Sequence, residues 1–410
     1  MNDIDVVILA AGKGTRLKDG IAKPLHKVAG LTMLEHVVNA ARMVDPYKVI
    51  IVQSPRDDYS KFGDEVVTQT EQLGSGHALS IALDAVSSEK VLVLNADMPL
   101  ITGELLQEIV QKDDAILAGI FDDPTGYGRI IATPDQRVAE IVEEKDATPN
   151  EKKITLINSG VYLFNTNKVR HELESVSNDN AQGEFYLTDA AVGLNIVVVK
   201  DSQELQGVNN QQQLAQVNKI MRGRINDRHM TNGVIMIDPE TTYIDELVTI
   251  GAGTTIKPNT VIEGVSSIGE FNEIGPNAHI RPNTTTGKNV HIGNFVETKN
   301  ATIGDFTKIG HLTYVGDAQV GQAVNIGAGT IFVNYDGKNK HTTRVGNRAF
   351  IGSNTKLVAP VNIAEESITA AGSTIDHDVE KHSMGIARAR QTNKPDFWNR
   401  MEHEDFREEK

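Results

Sequence analysis

The chain has 410 residues, 39% of them hydrophobic, with a formal net charge of −15 and no cysteine. That length suits two or three domains, each burying its own core. The charge argues against non-specific nucleic-acid binding, which depends on Lys and Arg at phosphates. The lack of cysteine excludes disulfides and thiolate metal sites and fits a reducing cytoplasm. No apolar run approaches the roughly 18–20 residues that span a bilayer, so no membrane partner is expected; the acidic start "MNDID" is unlike the basic opening of a secretion signal.

In chain order, "DVVILA" (5–10), "KVIIV" (48–52), "KVLVLNAD" (90–97), "AILAGI" (115–120) and "NIVVV" (195–199) predict strands buried on both faces. Helical spacing of apolar residues predicts helices over 33–43 and 75–86. Such alternation defines a doubly wound, Rossmann-like α/β domain with a parallel sheet, whose ligands bind at the carboxyl ends of the strands.

The first strand ends in "AAGKGTRL". A phosphate needs inward-pointing backbone N–H groups, close approach without a Cβ, and nearby cations. Gly12 and Gly14 offer the approach; Lys13 and Arg16, with Lys18, Lys23 and Lys27 close by, offer the charge. The loop is neither a Walker A sequence nor GxGxxG. Asp97, ending another buried strand, suits Mg²⁺, a hard cation that takes few protein ligands; the competing role is a helix N-cap.

Leu214, Val217, Met221 and Ile225 share a helical face and predict a linking helix over 209–225. From Ile250 the period becomes six. Ile250, Ile256, Ile262, Ile268, Ile274, Ile280 and Ile292 form one ladder, with Thr286 and Thr298 on its remaining rungs. It slips by one residue to Ile303, Ile309 and Val315, slips again to Val320 and Ile326, then resumes over Val345, Ile351, Leu357, Ile363 and Ile375. A six-residue period matches neither helix nor amphipathic strand; it predicts a parallel β-helix of hexapeptide repeats, with a loop thrown out between Ile326 and Val345. The tail 391–410 is strongly charged and holds the only Trp, Trp398.

The segments "LAAGKGTRL" with Lys23, "TEQLGSGHA" (70–78), "DDPTGYGRI" (122–130), "IVEEKDA" (141–147), "INSGVY" (157–162), "NDNAQGEFYLTD" (178–189) and "GVNN" (207–210) resemble nucleotide-sugar pyrophosphorylases. With "GHLTYVGDA", "NIGAGT" and "NYDGKNK" in the second half, the chain resembles, over nearly its whole length, the bifunctional bacterial enzymes that join glucosamine-1-phosphate N-acetyltransferase and N-acetylglucosamine-1-phosphate uridyltransferase activities. The resemblance implies a uridyltransferase domain over 1–208, a linker helix over 209–230, and a left-handed β-helix acetyltransferase domain with a C-terminal arm over 231–410. It implies that Leu9, Ala10, Ala11, Gly12, Gln69, Gly74, Ser75, Asn95 and Ala96 surround the nucleotide, and that Arg16 and Lys23 meet its phosphates. Asp97 and Asn209 would hold Mg²⁺, and Gly128, Glu143 and Asn158 the acetylated sugar. In the second half, Arg281, Lys299, Tyr314 and Asn325 would hold the sugar phosphate and His311 would be the general base. Ala328, Asn334, Tyr335, Ser353, Ala371 and Arg388 would bind acetyl-CoA. UTP and acetyl-CoA are then co-substrates, and the assembly is a cytoplasmic homotrimer.

The chain departs from the family pattern in three ways. Ala22 stands before Lys23 where proline is usual, with Pro24 after it; Ala96 replaces a glycine; and the chain is about forty residues short, a loss a solenoid tolerates in whole coils. Two other readings compete: a pyrophosphorylase for another nucleotide sugar with a purely structural β-helix, and a non-catalytic assembly module.

Overall fold

The structure is a computed structural model describing residues 3–12, 14 and 16–401. It divides into two compact units, Met1–Ile225 and Asn226–Lys410. Lys13 and the tail beyond Met401 lie outside the described residues.

The first unit holds a nine-stranded sheet: β1 (Ile4–Leu9), β2 (Val49–Gln53), β3 (Glu65–Thr68), β4 (Lys90–Asn95), β5 (Ala115–Ile120), β6 (Gly128–Ala132), β7 (Val138–Val142), β8 (Leu156–Asn165) and β9 (Asn195–Val198). Its main path runs β9-β5-β8-β4-β1-β2-β3, with β6 pairing β8 and β7. Successive side chains of β1 enter different cores, as the two-residue period of a strand requires. Val6 and Ile8 pack with Leu34 and Val37 of α1 (Met33–Arg42), and Val7 packs with Leu79 of α2 (Ser75–Ala82). The helix α1 starts with a reciprocal capping box between Thr32 and Glu35.

All five predicted strands are present, although β9, at the edge of the sheet, is only half-buried, and β1 is parallel to β2 and β4. The sheet is nonetheless mixed, because β8 runs antiparallel between β4 and β5. The sequence pattern hid β8: its ladder breaks between Asn158 and Tyr162, where "NSG" interrupts the apolar run. The linking helix, α4 (Gln211–Thr231), begins two residues beyond Asn209 and runs past the 225 expected from periodicity to within one residue of the 230 implied by the resemblance; α3 (Gly103–Ile109) is the other helix that concerns the site.

The second unit is a parallel β-helix with three faces. On the first face Ile256, Ile274, Ile292, Ile309, Ile326 and Ile351 are successive partners in neighbouring coils. On the second, Ile262, Ile280, Thr298 and Val315 are, followed by Phe332, Leu357 and Ile375. On the third, Thr286, Ile303, Val320, Val345 and Ile363 are. The one-residue slips in the sequence ladder are therefore coils one residue shorter, with every inward residue still stacked. Val320 pairs directly with Val345. The chain between them still stacks Ile326 and Phe332 on the first two faces and leaves the wall only after Val333, as a loop around Asn334–His341, so the loop is shorter than the span expected between Ile326 and Val345.

A second inward ladder lies two residues before the aliphatic one and is built of small residues and hydroxyls. Thr254, Thr260, Thr284, Thr307, Thr330 and Thr355 are completely buried, and each hydroxyl donates to a backbone carbonyl. At the corners the backbone turns into the left-handed region, as at Asn277, Asn283, Asn289 and Leu312. Asparagine tolerates that conformation better than most residues. Among the described residues, no helix is long and apolar enough to cross a membrane.

Candidate functional site

In the first unit a cleft of about 320 Å³ opens at the carboxyl ends of β1 and β4. Leu9, Ala10, Ala11, Gly12, Lys23, Gln69, Gly74, Ser75, Asn95, Ala96 and Asp97 all line it. Gln72 and Glu184 line it too. Sequence reading missed both; Gln72 sits inside the quoted "TEQLGSGHA" and donates its amide to Ala11 O. Gly74, just before α2, has φ +112°, and a Cβ there would meet Phe185 O at 2.6 Å, so glycine is required.

The two glycines of the opening loop differ. A Cβ on Gly12 would meet nothing within 4 Å, so its bareness serves the cleft rather than the fold. Gly14 has φ +60°, and a Cβ there would press on Lys23 Cβ at 2.8 Å, so Gly14 sets where Lys23 can lie. Ala22 has φ −58°, the value proline imposes, so the turn before Lys23 keeps the backbone a proline would give. Ala96 is 2% exposed and belongs to the core beneath the cleft.

Four predicted residues meet at one point. Lys23 Nζ contacts Asp97 Oδ2 and donates to Asn209 Oδ1 at 2.8 Å; an Arg16 amine donates to the same oxygen at 2.6 Å. Asp97 is no helix N-cap: the next helix, α3, begins at Gly103 and is capped by Thr102. Asp97 and Asn95 also line a second cleft of about 170 Å³, with Tyr127, Gly128, Glu143, Asn158, Gly207 and Asn209. Asn158 spends much of its amide inward, donating to Tyr162 Oη at 2.8 Å and accepting from Gly160 N at 2.8 Å. Burial raises the Glu143 carboxyl above the usual carboxylate range, and the charges of Asp146 and Asp189 add to it. Among the described residues no cluster of three His, Cys, Asp or Glu could hold a metal. Asp97 and Asn209 still fit Mg²⁺: both offer hard oxygens, and both oxygens already converge on one ammonium.

In the second unit, residues one step past the inward aliphatic are mostly glycine on the first and third faces. At Gly269 and Gly293 the reason is steric, since a Cβ there would lie 2.2 Å from Gly287 O and 2.0 Å from Gly310 O respectively, whereas a Cβ at Gly310 would meet nothing within 4 Å. On the second face the same position carries Arg281 and Lys299. Arg281 donates to Glu297 at 2.8 Å. The Lys340 ammonium, and after it Arg281, hold Lys299 below the ordinary lysine pKa. Tyr314 lies in the next coil opposite Glu297 and accepts from Asn334 at 3.4 Å. Asn334 also donates to the buried Asp317, while Tyr335 stands exposed on the loop.

His311 is exposed, two residues past the fully buried Ile309. Ala328, Ser353 and Ala371 hold the same place after Ile326, Ile351 and Thr369, so the four form one column where the first face turns into the second. Asn354 N donates to Ala328 O at 2.7 Å and Gly372 N to Ser353 O at 2.8 Å, tying the column together; Arg388 lies beside Gly372. Asn325 is not with Arg281 and Lys299: it sits on the first face, opposite Lys308 and Phe350.

A nucleotidyltransferase-like α/β unit in series with a hexapeptide β-helix defines a two-activity transferase. Residues 6–179 match the MobA-like NTP transferase domain family. The bifunctional protein GlmU of Oenococcus oeni is 61% identical over 99% of this chain and 96% of its own length. That of Caldanaerobacter subterraneus subsp. tengcongensis is 45% identical over 96% and 97%, and that of Streptococcus agalactiae serotype V 42% over 97% and 98%. The chain belongs to the bifunctional GlmU family; it is an enzyme with uridyltransferase and acetyltransferase activities in UDP-N-acetylglucosamine synthesis. The last two alignments extend over 444 and 449 positions, more than this chain possesses, whereas that with Oenococcus extends over 411. The shortening is thus shared with a bacterial relative.

Proposed function

We propose that the β-helix transfers acetyl from acetyl-CoA to glucosamine-1-phosphate, and that the α/β unit then transfers uridylyl from UTP to N-acetylglucosamine-1-phosphate with release of pyrophosphate. The convergence of Arg16, Lys23, Asp97 and Asn209 beside a nucleotide-sized cleft carries the reading. UTP lies along Leu9–Gly12, Gln69, Gly74 and Ser75, and the acetylated sugar lies against Gly128, Glu143 and Asn158. In-line attack on the α-phosphate needs alignment and charge neutralisation more than a strong base. Arg16 and Lys23 bring the cationic side chains to the phosphates. Asp97 and Asn209 hold Mg²⁺, which when bound neutralises charge on the phosphate oxygens.

In the β-helix, Arg281, Lys299 and Tyr314 bind the sugar phosphate from the second face, and Asn325, which lies on the first face, joins them from a neighbouring chain. His311 takes the proton from the amine as it attacks the thioester carbon, and the coenzyme A thiolate leaves. Ala328, Asn334, Tyr335, Ser353, Ala371 and Arg388 bind acetyl-CoA. The His311 column lies where the second face begins, and Asn334 and Tyr335 lie where it ends. That separation supports a homotrimer in which neighbouring chains complete one site. A cytoplasmic setting agrees with the absence of cysteine.

The test is incubation with glucosamine-1-phosphate, acetyl-CoA, UTP and Mg²⁺, omitting each in turn. The reading expects UDP-N-acetylglucosamine only from the full mixture, and from UTP, Mg²⁺ and supplied N-acetylglucosamine-1-phosphate. Pyrophosphate release that ignores acetylation would overturn it.

A further inference from the structure

Arg129 is 1% exposed, the bulkiest fully buried side chain in the protein among the described residues, and no substrate-binding role attaches to it. It follows Gly128 at the start of β6, in register with Val142 of β7 and Ile157 of β8. Its guanidinium pairs with Glu144 at 2.7 Å and donates to Tyr127 O. Glu144 in turn accepts from Gly126 N at 3.3 Å. One ion pair therefore grips the backbone on both sides of Tyr127. The Tyr127 ring stands edge-on to Phe121, with centroids 5.0 Å apart, and its hydroxyl accepts from Gly207 N at 3.4 Å. Gly126, Tyr127 and Gly128 together line the smaller cleft.

Burying a guanidinium is costly even when it is paired, and an apolar side chain would fill such a site at least as stably. What an apolar side chain cannot do is hold a carbonyl and, through a carboxylate, an N–H. We propose that Arg129, with Glu144, is a positioning residue that fixes the Gly126–Gly128 loop in the shape that receives the acetylated sugar. This rests on the assignment of the smaller cleft to that sugar.

The experiment compares wild type, Arg129→Met, Glu144→Gln and the double variant in uridylyl transfer, with UTP and N-acetylglucosamine-1-phosphate varied separately and thermal midpoints recorded. Arg129→Met should raise KM for the sugar phosphate about tenfold with KM for UTP within about twofold. The double variant, free of the unpaired buried guanidinium that Glu144→Gln leaves, should regain thermal stability relative to that variant but keep the raised sugar KM. Parallel rises in both KM values, or a double variant whose sugar KM recovers with its stability, would make Arg129 merely structural and overturn the proposal. Wild-type enzyme that transfers uridylyl to another sugar phosphate but not to this one overturns the cleft assignment itself, and the proposal with it.

Discussion

Lys23 and Asp97 are in direct contact, and the Lys23 ammonium also reaches Asn209, so one cation sits between two oxygens from distant parts of the chain. Their side chains are only 15% and 23% exposed, so the attraction is poorly screened. Two oxygens that cradle an ammonium can also cradle a divalent ion once phosphates draw the ammonium away. Asp97→Asn keeps the shape and removes the charge. At limiting Mg²⁺ it should slow uridylyl transfer by about 100-fold, matching the several kcal/mol such an ion supplies. Acetyl transfer should be untouched. Near-normal pyrophosphate release at limiting Mg²⁺ would remove Asp97 from the metal site.

The Gly14 contact with Lys23 gives a separate handle on the same cation. Gly14→Ala puts a methyl group where φ is +60° and where Lys23 Cβ is 2.8 Å away. Backbone strain of about 1 kcal/mol is expected, and Lys23 must shift. KM for UTP should rise while thermal stability drops only slightly. An unchanged KM would show that Lys23 is positioned by its oxygens alone.

How much of this was legible beforehand differs between the units. The six-residue ladder predicted which residues point inward, because every rung packs against the same rung one coil away. The hydroxyl ladder two residues earlier went unread, since Thr, Ser, Ala, Val and Asn share it and no single residue type marks the period. In the α/β unit, five strands followed from continuous apolar runs, whereas β8 was masked by Asn158–Gly160. Those polar residues are there because the strand borders the smaller cleft. The meeting of Lys23 with Asn209 joins positions far apart in sequence, and only the resemblance pointed to it. Arg129 could have been suspected inside "GYGRI", but nothing in the sequence marks its burial.

Lys299 offers a test by pH. Lys340 and Arg281 lower its pKa, so its proton leaves at lower pH than from an isolated lysine, near 10.4. A bound phosphate favours the ammonium. Affinity for glucosamine-1-phosphate should therefore be full below the lowered pKa and weaken as pH rises through it, beginning before an ordinary lysine would titrate. Lys340→Met should weaken binding at neutral pH and move the alkaline break upward. A break that stays in place in that variant would mean another group causes it.

The fold itself can be probed at Thr307, which is completely buried and links two neighbouring coils: its hydroxyl donates to Gly321 O at 2.8 Å and accepts from Val324 N at 3.1 Å. Thr307→Val keeps the shape and leaves a buried N–H and a carbonyl without this partner. The cost should be about 1–3 kcal/mol of stability, read as a lower midpoint in denaturant. An unchanged midpoint would mean the hydroxyl ladder contributes shape rather than hydrogen bonding.

His311 separates the bifunctional reading from a pyrophosphorylase with an inert β-helix. Its side chain is exposed while Ile309 holds the inward rung, so His311→Ala removes a proton acceptor without opening the core. Loss of a general base costs about 10²- to 10⁴-fold in rate, or roughly 3–5 kcal/mol of barrier. Acetyl transfer should fall by that order, while uridylyl transfer from supplied N-acetylglucosamine-1-phosphate and the thermal midpoint stay near wild type. Light scattering on the same samples should show a trimer for both proteins, so that a lost reaction cannot be traced to lost assembly. Equal loss of both activities would make His311 structural. Loss of neither would place the base elsewhere, and a stable monomer with full acetyltransferase activity would remove the neighbouring chains from the site.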